Sequence, residues 1–174
     1  NNNIPYYYFD QPYLFYTEYQ DHPDFGQPWY RIIKNNVQMI DINERHKERF
    51  EYVKGMCKNK ETLNELELKD WRKEGQHILV IPPSIHTANW YDMQVEPWIE
   101  NITTELKKHT DRPIRVRYKY TNKIHGKRNA TPLKADLINC HAMVSFHSMA
   151  ACEAVIAGVP SFASEHSPAS KVSY

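Results

Sequence analysis

The sequence predicts an α/β fold: a parallel, Rossmann-like sheet with helices on both faces, preceded by a short aromatic-rich N-terminal region. Two apolar runs, HILVIPPS and AMVSF, are short and continuous, which is typical of strands buried on both faces. Segments with helical spacing separate the apolar runs, so the order from residue 76 onward is β-α-β-α-β-α-β. Crossovers of this length join parallel strands and place helices on the faces of the sheet.

Residues 1–40 are rich in tyrosine and in turn-forming residues. PYYYFDQPYLFY and WYRIIKNNVQMI predict two strands that are joined by a loop. The charged segment that follows, NERHKERFEYVKGMCKN, is predicted to be helical or irregular. The aromatic side chains are predicted to form a core, with stacking on bases or sugars as the alternative.

The second half of the chain is predicted to contain three helices between its strands. Pro97 suits the first turn of a helix within residues 88–110. Pro132 begins a second, short helix, for which Thr131 is a plausible cap. The third helix lies within SMAACEAVIAG and ends at Gly158. The strands are predicted at residues 78–81, 112–120, 143–146 and 161–163.

The segments that follow the predicted strands contain candidate binding residues. In open α/β sheets, ligands bind beyond the carboxyl ends of the strands, near helix N-termini. PPSIH, FHS and SEHSPAS each follow one strand, and the basic face of RVRYK reaches the same edge. The candidate ligand-binding residues that this argument selects are Ser84, His86, Arg117, Lys119, His147, Ser148 and Ser167.

The third helix has the features of a nucleotide site. Ser148 is predicted to be its N-cap, so the hydroxyl and the amides of residues 149–151 would form a seat for phosphate. Glu153 shares one helix face with Ala150 and Ala157, which leave space for a ligand. The Glu153 carboxylate could then accept hydrogen bonds from the vicinal hydroxyls of a ribose.

The same helix also has a purely structural interpretation. The site hypothesis places the larger side chains Met149, Cys152, Val155 and Ile156 against the sheet. In the alternative, the alanines pack closely on the sheet, Glu153 faces solvent, and Ser148 is only a cap. Similarly, the basic residues of RVRYK could be a solvated face of an edge strand.

Charge and composition exclude several classes of function. Twenty-two Lys and Arg balance twenty-one Asp and Glu, so a strong electrostatic partner such as duplex DNA or an acidic membrane is not expected. No run approaches the roughly 20 apolar residues of a membrane span. HExxH, CxxC, GxSxG and GxxxxGKS are absent, so no metal, serine-hydrolase or P-loop site is predicted. Three unpaired cysteines favour a reducing, cytoplasmic compartment.

The segment PLKADLINCHAMVSFHSMAACEAVIAGVPSFAS resembles the nucleotide-sugar-binding half of GT-B-type glycosyltransferases. A narrower resemblance, over nearly all of the chain, is to glycosyltransferases encoded by bacteriophages. It depends on the stretches YYYFD, YRIIKNNVQ, WRKEGQHILVIPPS and HTDRPIRVR. The resemblance implies a GT-B donor domain at residues 76–174 and a partial, acceptor-side region at residues 1–75. It also implies the cytoplasm of the phage host as the location.

The resemblance implies a role for each candidate residue. Ser148 would bind the diphosphate with Arg117 or Lys119, and Glu153 would hold the ribose. Ser84, His86 and Ser167 would line the base or sugar pocket, and His147 would also belong to the donor site. The reaction would need neither a metal nor a cofactor besides the nucleoside-diphosphate sugar. Candidates for the acceptor-side base are Asp10, His22 and His86, and candidate acceptors are modified DNA or a glycan.

The chain departs from a complete enzyme of this family in its length. About 75 residues precede the donor domain, whereas a full acceptor domain needs ~100–150, and no closing helix follows Tyr174. We therefore expect a partial chain or a reduced relative. Two alternative functions remain: a non-catalytic accessory protein that binds nucleotide sugar or nucleic acid, and a sugar-nucleotide epimerase. The sequence predicts no oligomeric state.

Overall fold

The computed structural model describes residues 4–10, 31–35, 47–48, 51, 68–118 and 132–174, with Asp10 and Arg31 described by their backbone only. Several predictions concern residues outside these ranges. They include the cap at Thr131, the end of the strand at Lys119 and Tyr120, and the candidate base His22.

The N-terminal region contains a two-stranded antiparallel ribbon, as the sequence predicts. Its strands are β1, Tyr7–Asp10, and β2, Arg31–Lys34, with Phe9 opposite Ile32. The aromatic side chains of β1 are exposed, and the Lys34 ammonium lies 5.9 Å from the centre of the Tyr7 ring. The prediction that these residues form a core is therefore wrong for the described part of the region.

The second half of the chain forms a four-stranded parallel sheet flanked by helices. Its strands pair in the order β4-β3-β5-β6. The central strand β3 is at most 4% exposed from Ile78 to Ile81, as expected for a strand covered on both faces. The bounds are β3 His77–Ile81, β4 Ile114–Val116, β5 Cys140–Ser145 and β6 Ser161–Ala163.

Four helices lie in the described part of residues 76–174, one more than the sequence predicts there. The helix predicted within residues 88–110 is two helices, because Asp92 adopts a left-handed conformation with φ 49°. The Met93 amide then closes the first helix by donating to the Ala88 carbonyl at 2.9 Å. The helices are α1 Ile85–Trp90, α2 Val95–Leu106, α3 Leu133–Leu137 and α4 Ala150–Ile156.

The strand order fixes which helices share a face. The connection from β3 leads to β4 on one side of it, and the connection from β5 leads to β6 on the opposite side of the sheet. Right-handed crossovers therefore place α1 and α2 on one face and α4 on the other. The buried cluster on the α4 face joins Leu79, Ile81 and Met143 of the sheet to Leu137 of α3 and to the alanines of α4.

The side of α4 that packs on the sheet is not the predicted one. Ala150, Ala151 and Ala154 belong to the buried cluster, so the alanines bring the helix close to the strands. The residues predicted to lie on this side were Met149, Cys152, Val155 and Ile156. Of these four, only Cys152 packs against the cluster. The structural interpretation of the alanines is thus confirmed.

Helix α4 ends at Gly158, as predicted. The Gly158 amide donates to the Val155 carbonyl at 3.0 Å, and the Val159 amide donates to the Ala154 carbonyl at 2.9 Å. This is the Schellman arrangement, and it places Gly158 at φ 73°. A Cβ atom at this position would lie 2.3 Å from the Asp70 carbonyl oxygen.

Asp70 belongs to residues 68–75, which we call the strap. The strap lies against the end of α4, because the Lys69 and Arg72 amides donate to the carbonyls of Ile156 and Gly158. The Arg72 guanidinium donates to the Leu137 carbonyl at 2.7 Å and to the Cys140 carbonyl at 2.8 Å. One arginine therefore joins the strap to the end of α3 and the start of β5.

We expect Gly158→Ala to destabilise the fold. The left-handed conformation alone costs about 1–2 kcal/mol for a residue with a Cβ atom, and the contact with Asp70 adds to this. Thermal unfolding should show a melting temperature lower by several degrees. Asp92→Gly is the matched control, because it removes a side chain from a left-handed position and should leave the melting temperature unchanged or raise it. Equal melting temperatures for Gly158→Ala and the wild type would contradict this account.

Arg72→Met should also destabilise the protein. It keeps the apolar stem but leaves two partly buried carbonyls without their charged donor, so roughly 2–4 kcal/mol of unfolding free energy should be lost. Urea unfolding measures this as a lower midpoint at unchanged slope. Lys73→Met, at the exposed neighbouring position, should leave the midpoint within experimental error. A similar midpoint for both variants would show that the Arg72 bonds contribute little.

Candidate functional site

The strand order reverses between β3 and β5, and a reversal of this kind leaves a crevice at the carboxyl ends of the two strands. Crossovers leave these two neighbouring strands in opposite directions, so the helices on either side diverge at this edge. Ligands bind at such reversal points in open α/β sheets. Pro82 and Ser84 follow β3, and Phe146, His147 and Ser148 follow β5. The sequence predicts both of these segments, and it also predicts the third, SEHSPAS, which follows β6.

Ser84 and His86 lie on the β3 side of the crevice. Ser84 is the N-cap of α1: its hydroxyl accepts the Thr87 amide hydrogen bond at 3.2 Å and lies 2.9 Å from the Thr87 hydroxyl. This bonding holds Ser84 in place and gives it a structural role. His86 is exposed near the start of α1.

Ser148 caps α4, though not in the predicted register. Helix α4 begins at Ala150, and Met149 occupies the N-cap position in a helical conformation. The Ser148 hydroxyl accepts from the Ala150 amide at 3.2 Å, and the Ser148 carbonyl accepts from the Ala151 amide at 3.1 Å. Two of the three amides predicted to face a phosphate are therefore already bonded within the turn.

A cluster of four rings lies beside the crevice: Tyr91, Phe146, His147 and His166. Tyr91 is at its centre, stacked on His166 with 4.7 Å between ring centres and packed edge-on against Phe146 at 5.2 Å. The His147 ring centre is 6.1 Å from that of Tyr91. This ring cluster joins the end of α1 to the segments that follow β5 and β6. Sequence patterns missed Tyr91, Phe146 and His166, because the contacts join distant parts of the chain.

The segment after β6 is bonded to the turn after β5. The Ser164 hydroxyl donates to the Phe146 carbonyl. Ser167, a predicted pocket residue, is buried, and its hydroxyl accepts from the Ala169 amide at 3.2 Å. Ser167 therefore stabilises a turn in the wall of the crevice.

Arg117 lies elsewhere than the sequence analysis expected. Its guanidinium forms a partly buried ion pair with Asp136 in α3. Because residues on β4 alternate between faces, Arg117 points to the side of the sheet that α3 covers. A phosphate at Arg117 would have to compete with the Asp136 carboxylate. Lys119 lies outside the described residues, as does the Asp10 side chain.

Glu153 is exposed on α4, on the side away from the buried alanines. Ala150, which was expected to leave space for a ligand beside it, is instead 9% exposed and part of the core. The Glu153 side chain thus lies at the outer surface of the helix, and the alanines do not form a space for a ligand beside it. Its role in binding ribose stays a prediction.

Burial shifts the pKa values of three groups in the second half of the chain. Desolvation raises the pKa of Cys152 to about 11, and the neighbouring Glu153 carboxylate adds to this shift. Burial also raises the pKa values of the Cys140 thiol and the Tyr91 phenol. These thiols stay protonated at neutral pH and are poor nucleophiles, whereas the protonated phenol of Tyr91 can donate a hydrogen bond.

Comparisons with protein-family models, curated proteins and solved structures give no match to this chain. The described part of the chain contains no group of three or more His, Cys, Asp or Glu side chains that could hold a metal. In the same residues, no helix is both long enough and apolar enough to cross a membrane. The function is therefore inferred from the geometry and chemistry of the residues at the carboxyl ends of β3 and β5.

The raised pKa values predict slow alkylation of Cys140 and Cys152. In a Cys57→Ser background at pH 8, iodoacetamide should modify Cys152 about 100-fold more slowly in the folded chain than in urea, because thiolate is the reactive form. The rate should rise about tenfold per pH unit up to pH about 11. Mass spectrometry of timed samples measures both rates.

The raised pKa of Cys152 also makes the stability of the fold depend on pH. The unfolded thiol loses its proton near its ordinary pKa of about 8.5, whereas the folded thiol keeps it up to pH about 11. Deprotonation therefore favours the unfolded state, and folding free energy is lost as the pH rises through this window. Cys152→Ala should remove this loss. Fast alkylation at pH 8, or the same alkaline loss in the variant, would contradict the burial of Cys152.

Proposed function

We propose that the chain is the nucleotide-sugar-binding part of a GT-B-type glycosyltransferase, which transfers a sugar from a nucleoside-diphosphate sugar to an acceptor. The observation that supports this is the reversal of strand order between β3 and β5. Polar and aromatic side chains follow both strands at this edge. Sheets with this reversal bind nucleotides in the crevice that it creates.

The diphosphate would lie at the turn between β5 and α4. A hydroxyl has one proton to donate and two lone pairs. The Ser148 hydroxyl therefore keeps a proton for a phosphate oxygen while it accepts from the Ala150 amide. His147, next to it and half-buried in the ring cluster, would border the same phosphate.

The ring cluster would form the wall for the base or the sugar. Aromatic faces stack on bases and pack on the apolar faces of sugars. The His166 side chain is 41% exposed, so part of its ring remains open to a ligand while Tyr91 supports it. The hydrogen-bonded Ser84 and Ser167 would hold the neighbouring walls in place.

The ribose would bind at Glu153. Rising about 1.5 Å per residue, α4 carries this exposed carboxylate roughly 5 Å along its axis from Ala150. A carboxylate can accept two hydrogen bonds from vicinal hydroxyls at once. The ribose and the diphosphate would thus lie along one helix, with the base or sugar against the ring cluster.

Catalysis would depend on stabilising the leaving diphosphate. As the bond from the sugar to the diphosphate breaks, negative charge develops on the diphosphate, and the hydroxyl donor of Ser148 would lower its energy. The acceptor oxygen forms the new bond to the sugar and loses its proton to a base. His86 is the candidate base whose side chain is described, while Asp10 and His22 remain sequence-based candidates. The acceptor, modified DNA or a glycan, is part of the proposal.

We expect the chain to bind one nucleoside diphosphate and its sugar conjugate, and Glu153→Ala to weaken this binding. Calorimetric titration with UDP, GDP, ADP, CMP and UDP-sugars identifies the base. Hydrogen bonds to a charged group contribute about 1.5–3 kcal/mol, so the variant should bind roughly 10- to 100-fold more weakly. Glu100→Ala is the matched control, since it removes an exposed carboxylate from α2 and should not change the affinity.

The outcomes separate the candidate functions. Equal binding by the wild type and Glu153→Ala would exclude Glu153 from the site. Binding of a sugar nucleotide without turnover on any acceptor would favour the accessory protein. Release of a changed sugar without an acceptor would favour the epimerase. No binding of any nucleotide would overturn the proposal.

A further inference from the structure

Ser145 is the last residue of β5 and lies at the reversal point of the sheet. It pairs with Ile81 of β3 on one side and with Ala163 of β6 on the other. The residue is 2% exposed, and its hydroxyl has no hydrogen-bond partner. The other buried side-chain atoms without a partner among the described residues are His77 Nδ1, His141 Nδ1 and the Ser173 hydroxyl. Of these atoms, the Ser145 hydroxyl lies where β5 enters the crevice.

An unpaired hydroxyl in this position destabilises the apo protein. Buried polar groups in native structures are nearly always hydrogen-bonded, and exceptions occur at functional sites. A buried serine on the next strand does have a hydrogen-bond partner: Ser161 is 0% exposed, and its hydroxyl donates to the Val159 carbonyl at 3.1 Å. The unpaired state of Ser145 is therefore not a general property of serines in this sheet.

The position of Ser145 relates it to the proposed phosphate site. Ser145 and Ser148 lie at the two ends of the short turn that connects β5 to α4. By strand alternation, Ser145 shares a face with Met143, which belongs to the buried cluster under α4. The Ser145 side chain thus lies on the face of the sheet that α4 covers, at the start of the turn that would bind the diphosphate.

We propose that the Ser145 hydroxyl is a further ligand-binding group, which donates a hydrogen bond to a phosphate oxygen of the bound nucleotide, directly or through one water molecule. This inference rests on the proposed function. A neutral hydroxyl suits the buried position, because a charged side chain would cost far more to desolvate. The free protein is therefore less stable than it would be with this hydroxyl paired, and the ligand supplies the missing hydrogen bond.

The test compares Ser145→Ala with Ser161→Ala, two variants of the same size change on adjacent strands. Thermal unfolding and calorimetric titration are measured for each, with the panel of nucleoside diphosphates and inorganic pyrophosphate as probes. Ser145→Ala should leave the melting temperature unchanged or raise it, and should weaken binding about tenfold or more. Ser161→Ala should lower the melting temperature by about 2–4 °C and leave the affinity unchanged.

The opposite results would overturn the inference. If Ser145→Ala lowers the melting temperature as Ser161→Ala does, or fails to fold, the hydroxyl has a structural role. If the wild type binds a probe and Ser145→Ala binds it equally well, Ser145 does not contact the ligand, while the proposed function stands. If the wild type binds no probe, the proposed function and this inference fail together.

Discussion

The close approach of α4 to the central strands is the constraint on which the rest of this structure depends. Ala151 and Ala154 are fully buried against the sheet, and no larger residue at these positions would let the helix lie so near. The strap follows the helix so closely that only a residue without a Cβ atom fits at Gly158. Arg72 then reaches the Leu137 and Cys140 carbonyls and joins the strap to α3 and β5.

This packing also determines what α4 can contribute to a site. With the alanines on the sheet, Glu153 must lie on the outer side of the helix, where it is exposed. The alanines therefore do not provide space for a ligand, and the carboxylate is explained separately from them. The exposed position of Glu153 therefore follows from the packing of the alanines alone, before any function is considered.

The sequence predicted those parts of the fold that depend on local patterns. Continuous apolar runs identified the buried strands, and Gly158 marked the end of α4 because a left-handed residue is needed there. Other features depend on tertiary contacts or on the conformation of a single residue. The division into α1 and α2 depends on Asp92, which glycine-based rules overlook. The pairing of Arg117 with Asp136, and of Tyr91 with His166, joins segments whose proximity only the folded sheet creates.

The serines show why candidate binding residues were the harder prediction. Ser84, Ser148 and Ser167 each accept a backbone amide hydrogen bond within their own turn. Serines are favoured at such positions for structural reasons alone, so their location near strand ends is weak support for ligand binding. Ser145 differs, because no turn or cap uses its hydroxyl and burial makes the unpaired group costly. The unpaired Ser145 hydroxyl is therefore a better indicator of ligand binding than the hydroxyls of the other three serines, which already accept hydrogen bonds within the fold.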